Sequence, residues 1–343
     1  MAPNRHRRER SQTTDSPGTP TLPCVGDCSA GDGARAPAGI IRLPLPSQPP
    51  RLGADCWILS GPTGGGKTAL ALEIACRLDA EIVSVDSIAV YRGLDIGTAK
   101  PTAAERDAVP HHCLDLVSPD AAFSVAQWLV TATEAVEAIR GRGKRILFVG
   151  GTPLYLRSLR DGLAPLPAED PQIRQQLSHE ATLLGPAALH SRLRTIDAAA
   201  ASRIHPNDTR RIVRALEVVA ITGRPMSAVW QLAEAAMNPA SPAFTAQMLV
   251  VDLPRRILYD RIERRVEAMF SGGLIEETRA ALAGGGIGPI ARQAAGYTEA
   301  IGLIEGRLSR DAAIEQTKTR TRQLAKRQLT WLRRFKDAIW VTA

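Results

Sequence analysis

Hydrophobic positions follow two rhythms in turn along this chain. Cys56–Ser60 is a short apolar run ending at Gly61, Pro62 and Thr63, the pattern of a buried strand that feeds a loop. Residues 68–78 then place Leu70, Ile74, Ala75 and Leu78 at helical spacing. A second apolar run, 81–85, ends at Asp86 and Ser87. Residues 123–139 read as helical, and a third run, Arg145–Val149, ends at Gly150, Gly151 and Thr152. Strands alternating with helices in this way predict a parallel sheet with crossover helices.

From about residue 165 the strand signal stops. Helical spacing runs through 173–184, Pro186–Ile196, Ala198–Arg203 and Thr209–Thr222, the last closed by Gly223 and Pro225. Residues 248–253 read as a returning strand. Helices follow at 256–270, Leu274–Ala283 and 311–335, with a last strand at 338–341. The expected organisation is a disordered tail at 1–50, an α/β core at 52–165, a helical insertion at 166–240 and the rest of the core at 241–343. No internal repeat is visible.

Composition changes this picture little. The chain has 343 residues, 44% of them hydrophobic, enough for one large domain or two smaller ones. The net charge of +8 suggests a polyanionic partner only if the cations cluster. Cys24 and Cys28 have a metal-like spacing without a second Cys/His pair nearby, and Cys56, Cys76 and Cys113 read as buried thiols, a pattern suited to a reducing compartment. No apolar run reaches transmembrane length and no signal-peptide core follows Met1. A bacterial-type cytoplasmic monomer without a membrane partner is expected. The tail opens with Arg5, Arg7, Arg8 and Arg10, but Glu9, Asp15, Asp27 and Asp32 argue against a transit peptide.

Candidate chemistry begins at Gly61, Pro62, Thr63, Gly64, Gly65, Gly66, Lys67 and Thr68, which fit G-x-x-x-x-G-K-[ST] between a predicted strand and helix. Glycines let backbone N–H groups converge on phosphate oxygens, the helix N-terminus adds partial positive charge, Lys67 supplies a full charge and Thr68 can ligate Mg²⁺. This P-loop does not by itself name a reaction. The third strand ends in Gly150 and Gly151, without the acid an ordinary nucleoside triphosphatase places there, and no Asn-Lys-x-Asp guanine signature exists. The strand-end acid is Asp86. It reads either as a turn or helix-capping aspartate or as a general base facing the acceptor side of the phosphate site.

Several stretches together resemble the tRNA dimethylallyltransferase family, the P-loop isopentenyltransferases of tRNA. They are the Gly61 to Thr68 loop; Asp86-Ser87 with Val90-Tyr91-Arg92-Gly93-Leu94-Asp95-Ile96-Gly97-Thr98-Ala99-Lys100-Pro101; Pro110-His111-His112; and Gly150-Gly151-Thr152-Pro153-Leu154-Tyr155. Further along come His205-Pro206-Asn207-Asp208, Arg210-Arg211, Arg214-Ala215-Leu216-Glu217, Gly296-Tyr297, and 321–328 before Trp331-Leu332. The likeness covers about 54–335.

The resemblance implies a P-loop-type parallel sheet with an all-α insertion that clamps an anticodon stem-loop. It implies transfer of a dimethylallyl group from dimethylallyl diphosphate, with Mg²⁺, to the exocyclic amine of the adenosine 3′ to the anticodon. By the same match Asp86 is the base or hydrogen-bond partner of that amine, and Thr152 stands where donor and base meet. The match also assigns tRNA contacts to Asp86, Ser87, Ile88, Ala89, Thr152, Arg174, Arg210, Arg211, Arg214, Arg322 and Lys326. The chain departs from the family at Gly64-Gly65 (usually Ala-Ser or Gly-Ser), Ala89 (usually Gln) and Thr298 (usually basic).

Charge distribution points the same way. Lys318, Arg320, Arg322, Lys326, Arg327, Arg333, Arg334 and Lys336 crowd 316–336 without an acid, and Arg210 and Arg214 share a helix face. Such runs suit a phosphate backbone. His111 and His112, adjacent and divergent, make a poor chelating pair and are assigned positioning at most. A small-molecule P-loop phosphotransferase, a prenyltransferase acting on free adenine nucleotide and a non-catalytic RNA-binding protein remain as alternatives.

Overall fold

A computed structural model describes residues 50, 52–163, 166–236 and 246–342. Most of the expected N-terminal tail, with Cys24 and Cys28, lies outside them. The described strands are β1 (Cys56–Ser60), β2 (Ala80–Ser84), β3 (His111–His112), β4 (Arg145–Val149), β5 (Gln247–Asp252) and β6 (Ile339–Thr342). They form one sheet in the order β3-β2-β4-β1-β5-β6, with every pairing parallel.

Parallel strands covered by crossover segments need nearly continuous apolar runs, and β1, β2 and β4 have them. Glu81 is the exception inside β2. Its buried carboxylate accepts from Arg142 (2.8 and 2.7 Å) and meets His112 Nε2 at 2.6 Å. These partners, the Arg142 hydrogen bond above all, hold its pKa below the usual carboxylate range against the effect of burial. β3 is two residues long, too short for any periodicity to announce it.

The crossover helices α1 (Lys67–Leu78) and α3 (Val125–Gly141) pack on β2 and β4. The short α2 (Ala103–Ala108) lies between them in the chain, and α4 (Pro153–Asp161) follows β4. α3 starts two residues later than its apolar pattern suggests, because Ser124 and Gln127 form a reciprocal capping box. α4 starts on Pro153, the helix position at which proline loses nothing.

Residues 171–236 carry α5 (Pro171–Leu184), α6 (Pro186–Ile196), α7 (Ala198–Arg203), α8 (Thr209–Thr222) and α9 (Met226–Ala236). They bury an apolar cluster of their own around Leu177, Leu189, Leu193, Ile212 and Leu216, separate from the cluster around the sheet. The chain then returns through β5 to α10 (Arg255–Ser271), α11 (Leu274–Ala283), α12 (Tyr297–Ile304) and α13 (Arg310–Leu332). α13 packs along α10 and α12 and touches α4, and its Gln328 meets Gly151 and Thr63 just past the carboxyl ends of β4 and β1.

Among the cysteines, Cys56 and Cys113 are buried but Cys76 is exposed. The expectation of three buried thiols fails at Cys76, whose position on α1 is turned away from the sheet while its neighbour Ala75 is buried. No helix among the described residues is long and apolar enough to cross a membrane.

Candidate active site

The chain leaves β1 through Gly61 to Gly66 and enters α1 at Lys67 and Thr68. Gly66 caps the helix in the left-handed region (φ 85°), which suits glycine and turns the first helical N–H groups toward the loop's interior. Lys67 Nζ donates to the carbonyls of Gly61 (3.0 Å) and Pro62 (2.8 Å). Burial, and then the charge of Arg265, push its pKa down to about 8, with Asp86 acting in the opposite sense.

β4 lies between β1 and β2, so the ends of all three meet. A Cβ on Gly150 would stand 2.1 Å from the Val85 carbonyl oxygen, and one on Gly151 would stand 2.8 Å from that of Gly61. Side chains at either position would force these turns apart. Through this approach the Ser87 N–H donates to Thr152 Oγ1 (3.1 Å), and Thr152 N–H donates to Val85 O (3.2 Å). Asp86 Oδ1 accepts from the N–H groups of Ile88 (2.8 Å) and Ala89 (3.2 Å). The turn-forming reading of Asp86 and the chemical one therefore coexist. The turn uses one carboxylate oxygen, and Asp86 also lines the cavity.

That cavity measures about 550 Å³ and takes its walls from Thr63 to Thr68, Asp86, Ile88, Ala89 and Gly150-Gly151. α10 adds Arg261 and Arg265, one helical turn apart. Arg265 Nη1 donates to Thr63 Oγ1 (3.2 Å), while its buried Nε has no partner. A buried guanidinium N–H without an acceptor is costly and marks a place for an anion. Burial also lowers the pKa of Arg265, with Asp86 opposing. The motif-based reading missed both arginines, although their i,i+4 spacing is the signal that drew attention to Arg210 and Arg214.

The cavity thus joins a phosphate cradle with two enclosed cations to a carboxylate two strands away, and the Thr152 hydroxyl, one strand away, bonds the residue after that carboxylate. Comparisons with known proteins agree with this chemistry. The sequence profile of IPP transferase matches residues 89–335, and that of isopentenyl transferase matches 54–118. The chain belongs to the IPP transferase family. It is 46% identical to the tRNA dimethylallyltransferase of Geobacter metallireducens over 83% of this chain and 91% of that one. The protein of the same name from Methylococcus capsulatus is 43% identical over 83% and 91%. Among solved structures, the tRNA isopentenylpyrophosphate transferase of Bacillus halodurans superposes with a TM-score of 0.59 at 38% identity, covering 84% of this chain and 89% of that one. A eukaryotic dimethylallyltransferase captured acting on tRNA gives 0.69 at 26% identity, covering 84% and 73%.

Family membership directs attention to the candidate tRNA contacts, which are dispersed. Asp86, Ile88 and Ala89 line the cavity, and Ser87 and Thr152, bonded to each other, adjoin those lining residues in the chain. Arg210 and Arg211 are exposed on α8. Arg214 turns inward instead, donating to buried Glu217 (2.7 Å) and to Pro167 O (2.7 Å). Arg174 donates to the same Glu217 (2.6 Å), so these two cations brace the start of the helical segment. On α13, Lys318, Arg320 and Arg322 each meet an acid: Glu267 and Glu315, Glu299, and Glu263, at 2.7–2.8 Å. The stretch lacks acids in sequence only, because α10 and α12 bring them. Lys326 and Arg327 are exposed and border a shallow groove with Trp331.

No cluster of three His, Cys, Asp or Glu side chains among the described residues could hold a metal unaided. Thr68 does face the cavity beside the cradle. That donor fits Mg²⁺, which keeps waters and binds through few protein oxygens plus substrate phosphates. His111 and His112 diverge. His111 Nδ1 pairs with Val109 O (2.7 Å), while His112 serves Glu81.

Proposed function

We propose that this protein transfers the dimethylallyl group of dimethylallyl diphosphate to the exocyclic amine of the adenosine 3′ to the anticodon of tRNA, releasing diphosphate. The observation that carries this reading is the shared cavity. Asp86 lines it together with the cradle formed by the loop backbone, Lys67 and Arg265, and Thr152 follows the lining Gly151 and is bonded to the Ser87 N–H.

The chemistry follows from that layout. The diphosphate oxygens take up the loop N–H groups, the Lys67 ammonium and the guanidinium Nε–H, which together stabilise the charge that grows as the C1–O bond breaks. Mg²⁺, held by Thr68 and the diphosphate, supplies further charge neutralisation when bound. The adenine amine attacks C1 from the Asp86 side, and its proton passes to Asp86. Thr152, fixed by the Ser87 N–H, presents its hydroxyl between donor and acceptor. A stacked adenine buries its amine, so the base enters the cavity extruded. Exposed Arg210, Arg211, Lys326 and Arg327 are the cations placed to meet the anticodon stem's phosphates, and the enzyme works as a monomer.

Incubation with Mg²⁺, radiolabelled dimethylallyl diphosphate and, separately, unmodified tRNA, AMP and ATP tests the proposal. Label enters tRNA alone. Label in AMP would assign the enzyme to free nucleotides. Asp86→Asn keeps the oxygen that supports the 87–89 turn and removes the base, so kcat falls by roughly 10²–10⁴-fold while tRNA and diphosphate still bind.

A further inference from the structure

Gln328, buried on α13, spans the two halves of the site. Its Oε1 accepts the Thr63 N–H (2.8 Å) and its Nε2 donates to Gly151 O (2.9 Å). Thr63 belongs to the phosphate loop and its hydroxyl accepts from Arg265. Gly151 directly precedes Thr152, which is tied to the residue after Asp86. The contact is tight from both sides, since a Cβ on Gly151 would lie 2.7 Å from Gln328 Nε2. One partner is a donor and the other an acceptor, so among isosteres only an amide, or a protonated carboxylic acid, satisfies both.

We propose that Gln328 is a positioning residue for the transfer reaction: it sets the separation between the loop that holds the leaving group and the turn that holds the acceptor side. This rests on the prenyl-transfer reading of the site. The exposed cations Lys326 and Arg327 precede it on the same helix. A rigid α13 therefore carries the clasp inside and a surface suited to tRNA outside. Displacing reacting groups by about 1 Å can cost about 100-fold in rate. The clasp acts on kcat, and not on tRNA affinity.

Two variants test this. Gln328→Met keeps the length and loses both hydrogen bonds. Gln328→Glu keeps the shape, and when ionised it opposes a carboxylate to the Gly151 carbonyl. At neutral pH both lower the single-turnover transfer rate about 10–100-fold, with tRNA affinity within about twofold of wild type. As pH falls, Gln328→Glu becomes protonated, regains a donor, and its rate relative to wild type rises, whereas that of Gln328→Met stays flat. Lys67, Asp86, Lys100, Glu105, His111, Arg261 and Arg265 line the same cavity and are common to all three proteins, so the ratio isolates position 328. A wild-type rate in either variant, or no acid recovery of Gln328→Glu, overturns the proposal. Hydrogen exchange of the peptide containing Thr63 reads the clasp without any transfer. It quickens in Gln328→Met, and unchanged protection also overturns the proposal. Should the wild-type protein fail to prenylate tRNA, the functional reading falls, and the exchange result still decides the clasp.

Discussion

Arg265→Met removes the enclosed guanidinium while keeping an apolar stem for the wall of α10. Two consequences of opposite sign follow. The variant loses the charge-assisted hydrogen bond that Nε offers an anion, and a second from the group that meets Thr63. Such bonds contribute about 1.5–3 kcal/mol each. Taking about 3 kcal/mol for the pair, with Lys67 taking over part of the charge, kcat/KM for dimethylallyl diphosphate falls about 100-fold. The loss also removes a cation that depresses the pKa of Lys67. Lys67 then stays protonated to higher pH, and the alkaline decline in kcat/KM shifts upward. Without ligand, the variant no longer buries an unsatisfied N–H, so its melting temperature does not fall. Inorganic diphosphate with Mg²⁺ raises the melting temperature of wild type more than that of the variant. Steady-state kinetics from pH 6 to 10 and thermal melts with and without diphosphate measure all of this. A kcat/KM within threefold of wild type, or an alkaline limb at the wild-type pH, would refute the assignment of Arg265 to the leaving group.

Other expectations follow from the same geometry. With Lys67 at about pKa 8 in the free protein, bound diphosphate favours the protonated form. Affinity for dimethylallyl diphosphate is therefore level below pH 8 and declines as pH rises above it, by about tenfold per unit at the limit; titration calorimetry in two buffers should also detect proton uptake there. Arg211→Ala leaves the melting temperature unchanged and lowers the salt slope of tRNA binding by about 1, because its side chain is 65% exposed. Arg214→Ala instead costs about 2 kcal/mol in urea unfolding, because it strips a partner from fully buried Glu217. Glu277 accepts from the N–H groups of Asp95, Ile96 and Gly97 and from the Tyr297 hydroxyl. Glu277→Gln turns a donor toward these donors and should cost about 1–3 kcal/mol of stability, read by the same unfolding experiment.

Much of the fold is legible in the sequence because parallel strands need uninterrupted apolar runs. β1 and β4 coincide with their predicted runs, and β2 and β5 differ by a residue at each end. What stays hidden is local or depends on distant neighbours. β3 is two residues long, α2 has no buried residue and stands on its capping box, and α12 is capped by Gly296 and held by buried Glu299. The phosphate loop and Asp86 are readable from their place between elements. Arg265 and Gln328 are not, since they act from α10 and α13, some two hundred residues or more from the loop they serve. Charge runs mislead for the same reason: Lys318, Arg320 and Arg322 look free along the chain and find carboxylates across it.

The sheet order accounts for why a phosphate loop without an adjacent acid is suited to alkyl transfer. Along the carboxyl edge, β2 leads to Asp86, β4 to Gly150-Gly151-Thr152, and β1 to the phosphate loop; β5 then leads into α10 with the cavity-lining Arg261 and Arg265. In the proposed reaction, Asp86, Thr152, the cradle and the cations therefore lie in the order that a displacement at C1 requires. Two strand spacings of about 4.8 Å put the Asp86 strand some 10 Å from the loop strand. In a phosphoryl transfer the nucleophile attacks the phosphorus itself, and a metal-binding carboxylate belongs beside the loop. Here a carboxylate at the end of β4 would oppose the diphosphate and fill the space where Gly150 and Gly151 allow the turns to touch. Setting the acid one strand farther out leaves room for a five-carbon chain and the amine that attacks it. In the proposed reaction it also leaves Asp86 on the side from which the amine attacks.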